Sequence, residues 1–103
     1  MPSKEKLQNA VPQLIAELSL YPTAEGGRAG AIGLGWGCPC SLTKTLQEGY
    51  DGWPLLETPM EPGERRKVGF VFLSGQEAAD LFRKAGTFYL WEGRFVGEAV
   101  VIS

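Results

Sequence analysis

The chain has no histidine and only two cysteines among its 103 residues. Without an imidazole, the usual general base and one of the usual zinc ligands are missing, so Ser–His or Cys–His nucleophilic chemistry has no foothold. Cys38 and Cys40 stand either side of Pro39. A disulfide over so small a ring would be badly strained, and two thiolates fall short of a four-coordinate zinc site. Both are expected to be free thiols in a reducing compartment, with no metal and no cofactor, and the expected location is cytoplasmic. No apolar run approaches the roughly 18 residues of a membrane-spanning helix. The opening Met1-Pro-Ser-Lys-Glu-Lys6 is too charged for a secretory leader. Neither sign of charge dominates: the formal net charge of −2 supplies no global positive field for nucleic acid. No Gly-x-x-x-x-Gly-Lys-Ser/Thr occurs, which excludes a P-loop nucleotide hydrolase.

What is present points to a small, turn-rich β domain. Hydrophobic residues at 44% and charged residues at 21% are ordinary for one globular domain. The 14 glycines fall between short apolar runs, as in an all-β fold. Residues 1–14 read as an N-terminal arm, a short helix or flexible, with Ser3 as a cap and Pro12 as an interruption. Residues 15–21 read as a strand with Leu18 and Leu20 on one face. Gly33, Gly35 and Gly37 alternate within an apolar stretch over 31–42; as a strand, this would leave one face bare enough for a backbone or a bulky ring to approach. Residues 43–50 read as a polar connection. Residues 53–57 read as an edge strand because Pro54 cannot donate to a ladder. A long strand is expected over 65–73. Ser74-Gly-Gln-Glu77 matches a capping box at the start of a helix ending at Gly86, with Ala78, Leu81 and Ala85 as its packed stripe. A hairpin over 87–102 turns at Glu92-Gly93.

Taken in order, the Glu25-Gly-Gly-Arg28 loop, the Gly35-Trp36 pair, the Pro62-Gly63-Glu64 turn and the hairpin Phe88-x-x-x-Glu92-Gly-Arg94-x-Val96-Gly97 resemble the C-terminal β-barrel domain (domain 3) of bacterial elongation factor Tu. The resemblance covers residues 15–103. It implies an all-β fold, a closed antiparallel six-stranded β-barrel, here with one short packed helix. The competing architecture is a mixed α+β domain in which arm and helix pack on an open sheet. The resemblance also implies that the turns carrying Arg28 and Arg94 meet at one rim.

Function is read as a non-catalytic intracellular module that recognises a protein partner through an aromatic loop and the barrel rim. Tyr50 and Trp53, beside Gly52 and Pro54, are its candidate anchors, with Arg28 and Arg94 at the rim. The ordinary role of such arginines is to bridge a loop to a carboxylate such as Glu25 or Glu92. Tyr89 adds to the load of large amphipathic aromatics, and Trp36 and Trp91 are read as core and rim packing. The alternative is an RNA- or tRNA-binding barrel, by analogy with elongation factor Tu, using Arg28, Arg65, Arg66, Lys67 and Arg94. A further alternative is an enzyme, which requires a pocket lined by titratable groups.

Overall fold

In the computed structural model, which describes residues 2–45 and 48–103, six antiparallel strands close into a barrel. The strands are β1 (Leu14–Leu20), β2 (Cys38–Ser41), β3 (Gly49–Leu55), β4 (Arg65–Phe72), β5 (Thr87–Trp91) and β6 (Phe95–Val101). Their order around the barrel is β1-β4-β3-β2-β5-β6, and β6 returns to β1 to close it. The expected six-stranded antiparallel architecture is therefore present. Alternation builds its interior: Leu14, Ala16, Leu18 and Leu20 of β1 face inward, as do Val68, Phe70 and Phe72 of β4.

The helix α2 (Gln76–Ala85) packs against β4 and β5. Its buried residues are Ala78, Ala79 and Phe82. The packed stripe is thus rotated from the expected Ala78, Leu81 and Ala85, of which Ala85 is exposed. Phe82 sets the rotation: its ring stacks on Phe88 at 4.5 Å and lies 5.3 Å from Phe72. The capping box is also corrected. Gly75, not Ser74, stands at the N-cap, with φ 65° and ψ −139° and no side-chain cap bond. The Gly75 N–H closes a turn onto the Phe72 carbonyl at 2.9 Å, which places Ser74 outside the helix. Only glycine enters this backbone region easily.

Three other expectations change. Residues 53–57 are not a separate edge strand: Trp53–Leu55 end the longer β3 (Gly49–Leu55), which pairs with β2 up to Gly52 and with β4 from Gly52 to Leu55. Pro54 is tolerated because the β2–β3 ladder stops at Cys38↔Gly52 and needs no N–H there. The connection expected over 43–50 is shorter, since Gly49 and Tyr50 belong to β3; Leu46 and Gln47 lie outside the described residues. Over 31–42 only Cys38–Ser41 is strand, and Ile32 makes an isolated bridge to Met60. The arm is docked and carries a short helix, α1 (Lys4–Gln8). Ser3 Oγ accepts from Lys6 N–H at 3.2 Å, Leu7 is buried, and Gln13 Oε1 accepts from Phe72 N–H at 2.7 Å.

Candidate functional site

The two aromatic anchors expected in a loop lie in β3. Trp53 is only 5% exposed, so it cannot serve as an accessible anchor. It points outward from the barrel, yet the segment before β2 folds over it: a Cβ at Gly37 would overlap the Trp53 indole. The glycine run over 33–37 thus admits a bulky ring, as expected, although it does so as irregular chain. Among the described residues, the buried Trp53 Nε1–H meets no partner. Tyr50 shares the inward parity of Gly52 and Pro54. Its ring meets Phe82 edge-on at 5.7 Å, and its hydroxyl donates to Glu48 at 2.9 Å. The exposed-loop expectation for both residues is therefore corrected, because Tyr50 pairs with Cys40 of β2 and Trp53 with Val71 of β4, which draws them into the wall.

The rim arginines take the bridging role. Arg28 and Arg94 strap one loop to one hairpin in opposite directions. Arg28 Nε donates to Glu92 Oε1 at 2.7 Å, and its Nη1 donates to the carbonyls of Gly30 at 2.6 Å and Ala31 at 2.8 Å. Arg94 Nη2 reaches the Gly27 carbonyl at 3.4 Å. Trp36 Nε1–H also donates to Glu92, at 2.8 Å, beneath the Arg28 guanidinium, which lies 5.5 Å over the indole. The Arg28 hydrogen bond, with help from Trp36, holds the Glu92 carboxyl below the ordinary value against the opposing effect of burial. Arg66 is committed likewise, donating to Glu64 at 2.8 Å and to the carbonyls of Thr58 and Pro59 at 2.8 and 3.0 Å.

Arg65 and Lys67 remain exposed, but register interrupts them. Lys67 pairs across β1 with Glu17, which leads to Val100; Arg65 pairs with Ser19, which leads to Glu98. Among the described residues, the five candidate basic residues do not form one continuous positive stripe. Arg28 and Arg66 are tied to protein oxygens, Glu17 of β1 stands between β4 and the hairpin that carries Arg94, and Glu98 lies on that hairpin.

The aromatic surface lies instead on the outer wall of the β5–β6 hairpin. Tyr89 and Trp91 share the outward parity of β5, opposite the buried Phe88 and Leu90. Phe95 meets both, at 6.3 Å from Tyr89 and 5.0 Å from Trp91. Tyr21, just past β1, extends the row, held by its N–H to the Val96 carbonyl at 2.9 Å and its hydroxyl to Glu98 Oε1 at 2.9 Å. All four rings are half-buried. The Lys44 ammonium lies over two of them, 5.1 Å from Tyr21 and 5.6 Å from Tyr89. Burial raises the Tyr21 phenol, and the approach of the Tyr21 hydroxyl raises the Lys44 ammonium. Sequence reading noted Tyr89 and Trp91 but missed Tyr21, Lys44, Phe95 and Glu98. The available signal was the shared parity of Tyr89 and Trp91 beside a hairpin turn.

Cys38 and Cys40 are free, buried and face the core from adjacent inward positions of β2. The neighbouring Cys38 and burial push the Cys40 thiol well above its ordinary value, which makes it a poor nucleophile. Two adjoining cavities, of about 470 and 480 Å³, share Leu55, Leu56, Glu57 and Gly69 where β3 parts from β4. Among the described residues, no three of His, Cys, Asp and Glu are grouped to hold a metal. No helix among them is long and apolar enough to cross a membrane. The chain matches no protein-family model, and no curated protein matches its sequence.

Proposed function

We propose that this barrel is a non-catalytic binding module that recognises a protein through the outer wall of its β5–β6 hairpin. The observation that carries this is the row Tyr21, Tyr89, Phe95 and Trp91, four adjoining half-buried rings on one face. Half-exposed aromatics held by a rigid sheet lose little conformational freedom on binding and make effective anchors. The surface replaces the Tyr50–Trp53 loop as the recognition element. The likeness to domain 3 of elongation factor Tu is kept as a proposal; it rests on the ordered motifs and the expected barrel. The buried free thiols suit a reducing, intracellular setting.

Affinity capture with the wild-type chain, Trp91→Ala and Leu73→Ala, each with and without nuclease, tests this. Leu73 is 70% exposed and lies just past the C-terminal end of β4. A protein retained by wild type and Leu73→Ala, but weakened at least about 30-fold by Trp91→Ala, is the expected result. A partner kept by Trp91→Ala overturns the surface. A partner released by nuclease returns the RNA reading.

A further inference from the structure

We infer that Tyr21, Tyr89 and Glu98 form a binding site for a lysine ammonium of a partner protein, which Lys44 occupies from within the chain. This rests on the proposed reading of the hairpin wall as a recognition surface, and names the chemistry that surface selects. The site already contains its ligand type. The Lys44 ammonium lies over both phenol faces, at 5.1 and 5.6 Å, where the ring quadrupoles attract a cation. The Tyr21 hydroxyl donates to Glu98 Oε1 at 2.9 Å, which fixes the ring and sets a carboxylate behind it, whose charge favours the ammonium without a direct ion pair. Glu98 and Tyr89 are direct cross-strand partners, so carboxylate and ring are set by one ladder. The receiving groups are therefore built into or pinned to the sheet. The occupant is not: Lys44 lies outside the strands on the connection after β2, and it is exposed.

That asymmetry makes the occupant replaceable. Two exposed contacts of this kind favour the docked Lys44 by about five- to thirtyfold over the open connection. An incoming lysine meets an apparent affinity reduced by the same factor, since only the open fraction of the site is competent. Phe95 and Trp91 continue the row beyond Tyr89 and offer apolar contact to residues flanking that lysine. A neutral side chain of equal length would lose the attraction of both rings and of Glu98.

Titration of Nα-acetyl-lysine methylamide into the wild type and Lys44→Ala, followed by two-dimensional NMR, tests the inference. Shifts centred on Tyr21, Tyr89 and Glu98 are expected, with binding about five- to thirtyfold tighter to Lys44→Ala. The Nε-acetylated analogue should produce none. In the Lys44→Ala background, Tyr89→Leu should abolish binding and Tyr89→Phe retain it, which separates loss of the ring face from loss of fold. Equal affinity in wild type and Lys44→Ala overturns the inference, as does equal binding of the acetylated analogue. Tighter binding of tetramethylammonium than of the lysine analogue overturns the lysine assignment. If Trp91→Ala loses the captured partner while Lys44→Ala gains nothing here, the inference falls alone. If Trp91→Ala keeps the partner, the surface reading itself falls.

Discussion

Trp53 and Trp91 occupy comparable positions, each outward-facing on a barrel strand, and they meet opposite fates. Trp53 is 5% exposed under the backbone around Gly37, whereas Trp91 stays half-open beside Phe95. Strand parity is the same for both. The difference comes from what lies over the wall: the chain entering β2 covers β3, whereas on the hairpin the side chain of Lys44 reaches over Tyr89. An outward aromatic is thus a packing residue or a recognition residue according to its cover.

The strongest way to break this contrast is to truncate both rings. Trp53→Ala should cost about 3–5 kcal/mol of stability, as for other buried large aromatics. Trp91→Ala should cost about 1 kcal/mol or less and act on partner binding instead. Urea denaturation checks both, and equal losses would erase the distinction. The cover can also be tested from its own side. Gly37→Ala forces a Cβ into the Trp53 indole and should cost about 1–3 kcal/mol. Gly30→Ala, where no described atom beyond the chain neighbours lies within 4 Å of the added Cβ, should stay within about 0.5 kcal/mol of wild type.

Glu92→Gln probes the strap that holds the loop beside the hairpin, with an expected loss of about 1 kcal/mol. Its pH signature is directional. The folded Glu92 carboxyl is held below the ordinary 4.5 chiefly by the Arg28 hydrogen bond, so the unfolded chain binds its proton more readily. Its contribution is present above that ordinary value and is lost as pH falls through the folded one. The variant should therefore show a flatter decline of stability on the acid side, read from denaturation midpoints across that range. An unchanged acid limb would mean that Glu92 contributes nothing through its charge.

The smallest effects belong to Arg65, Lys67 and Arg94. Each alanine variant should change stability by no more than about 0.5 kcal/mol. If, of the five candidate basic residues, these three are the ones left for phosphate and they carry the binding, attachment to single-stranded RNA should follow salt with a log–log slope no steeper than about −2. A steeper slope, abolished by the triple substitution, would restore the RNA reading.

Much of the barrel was legible locally. The 65–73 run alternated cleanly, and the turn at Glu92-Gly93 marked the last hairpin, because inward and outward residues repeat with period two in a strand. Ser3 capping and the Gly86 helix stop were legible for the same local reason. The arm's docking was not, since Leu7 and Gln13 act on chain far away in sequence. The Ser74 capping box misled because its spacing is correct while the β4-to-α2 turn gives the N-cap to Gly75.

For the site, sequence marked Arg28 and Glu92 as bridge candidates and named the aromatic residue types, but assigned the exposed role to the wrong rings. Cross-strand register alone puts Tyr89 beside Glu98, and the fold of two separate connections brings Tyr21 and Lys44 to them. The sequence by itself determined a turn-rich β domain with its apolar residues inward, because backbone period and turn chemistry are local properties; closure was only what the resemblance implied, since it needs β6 to reach β1. Only the tertiary structure decided which outward rings are covered, which arginines are spent on carbonyls and carboxylates, and where a lysine finds two aromatic faces. Those outcomes depend on contacts between segments up to 77 residues apart, which no local pattern encodes.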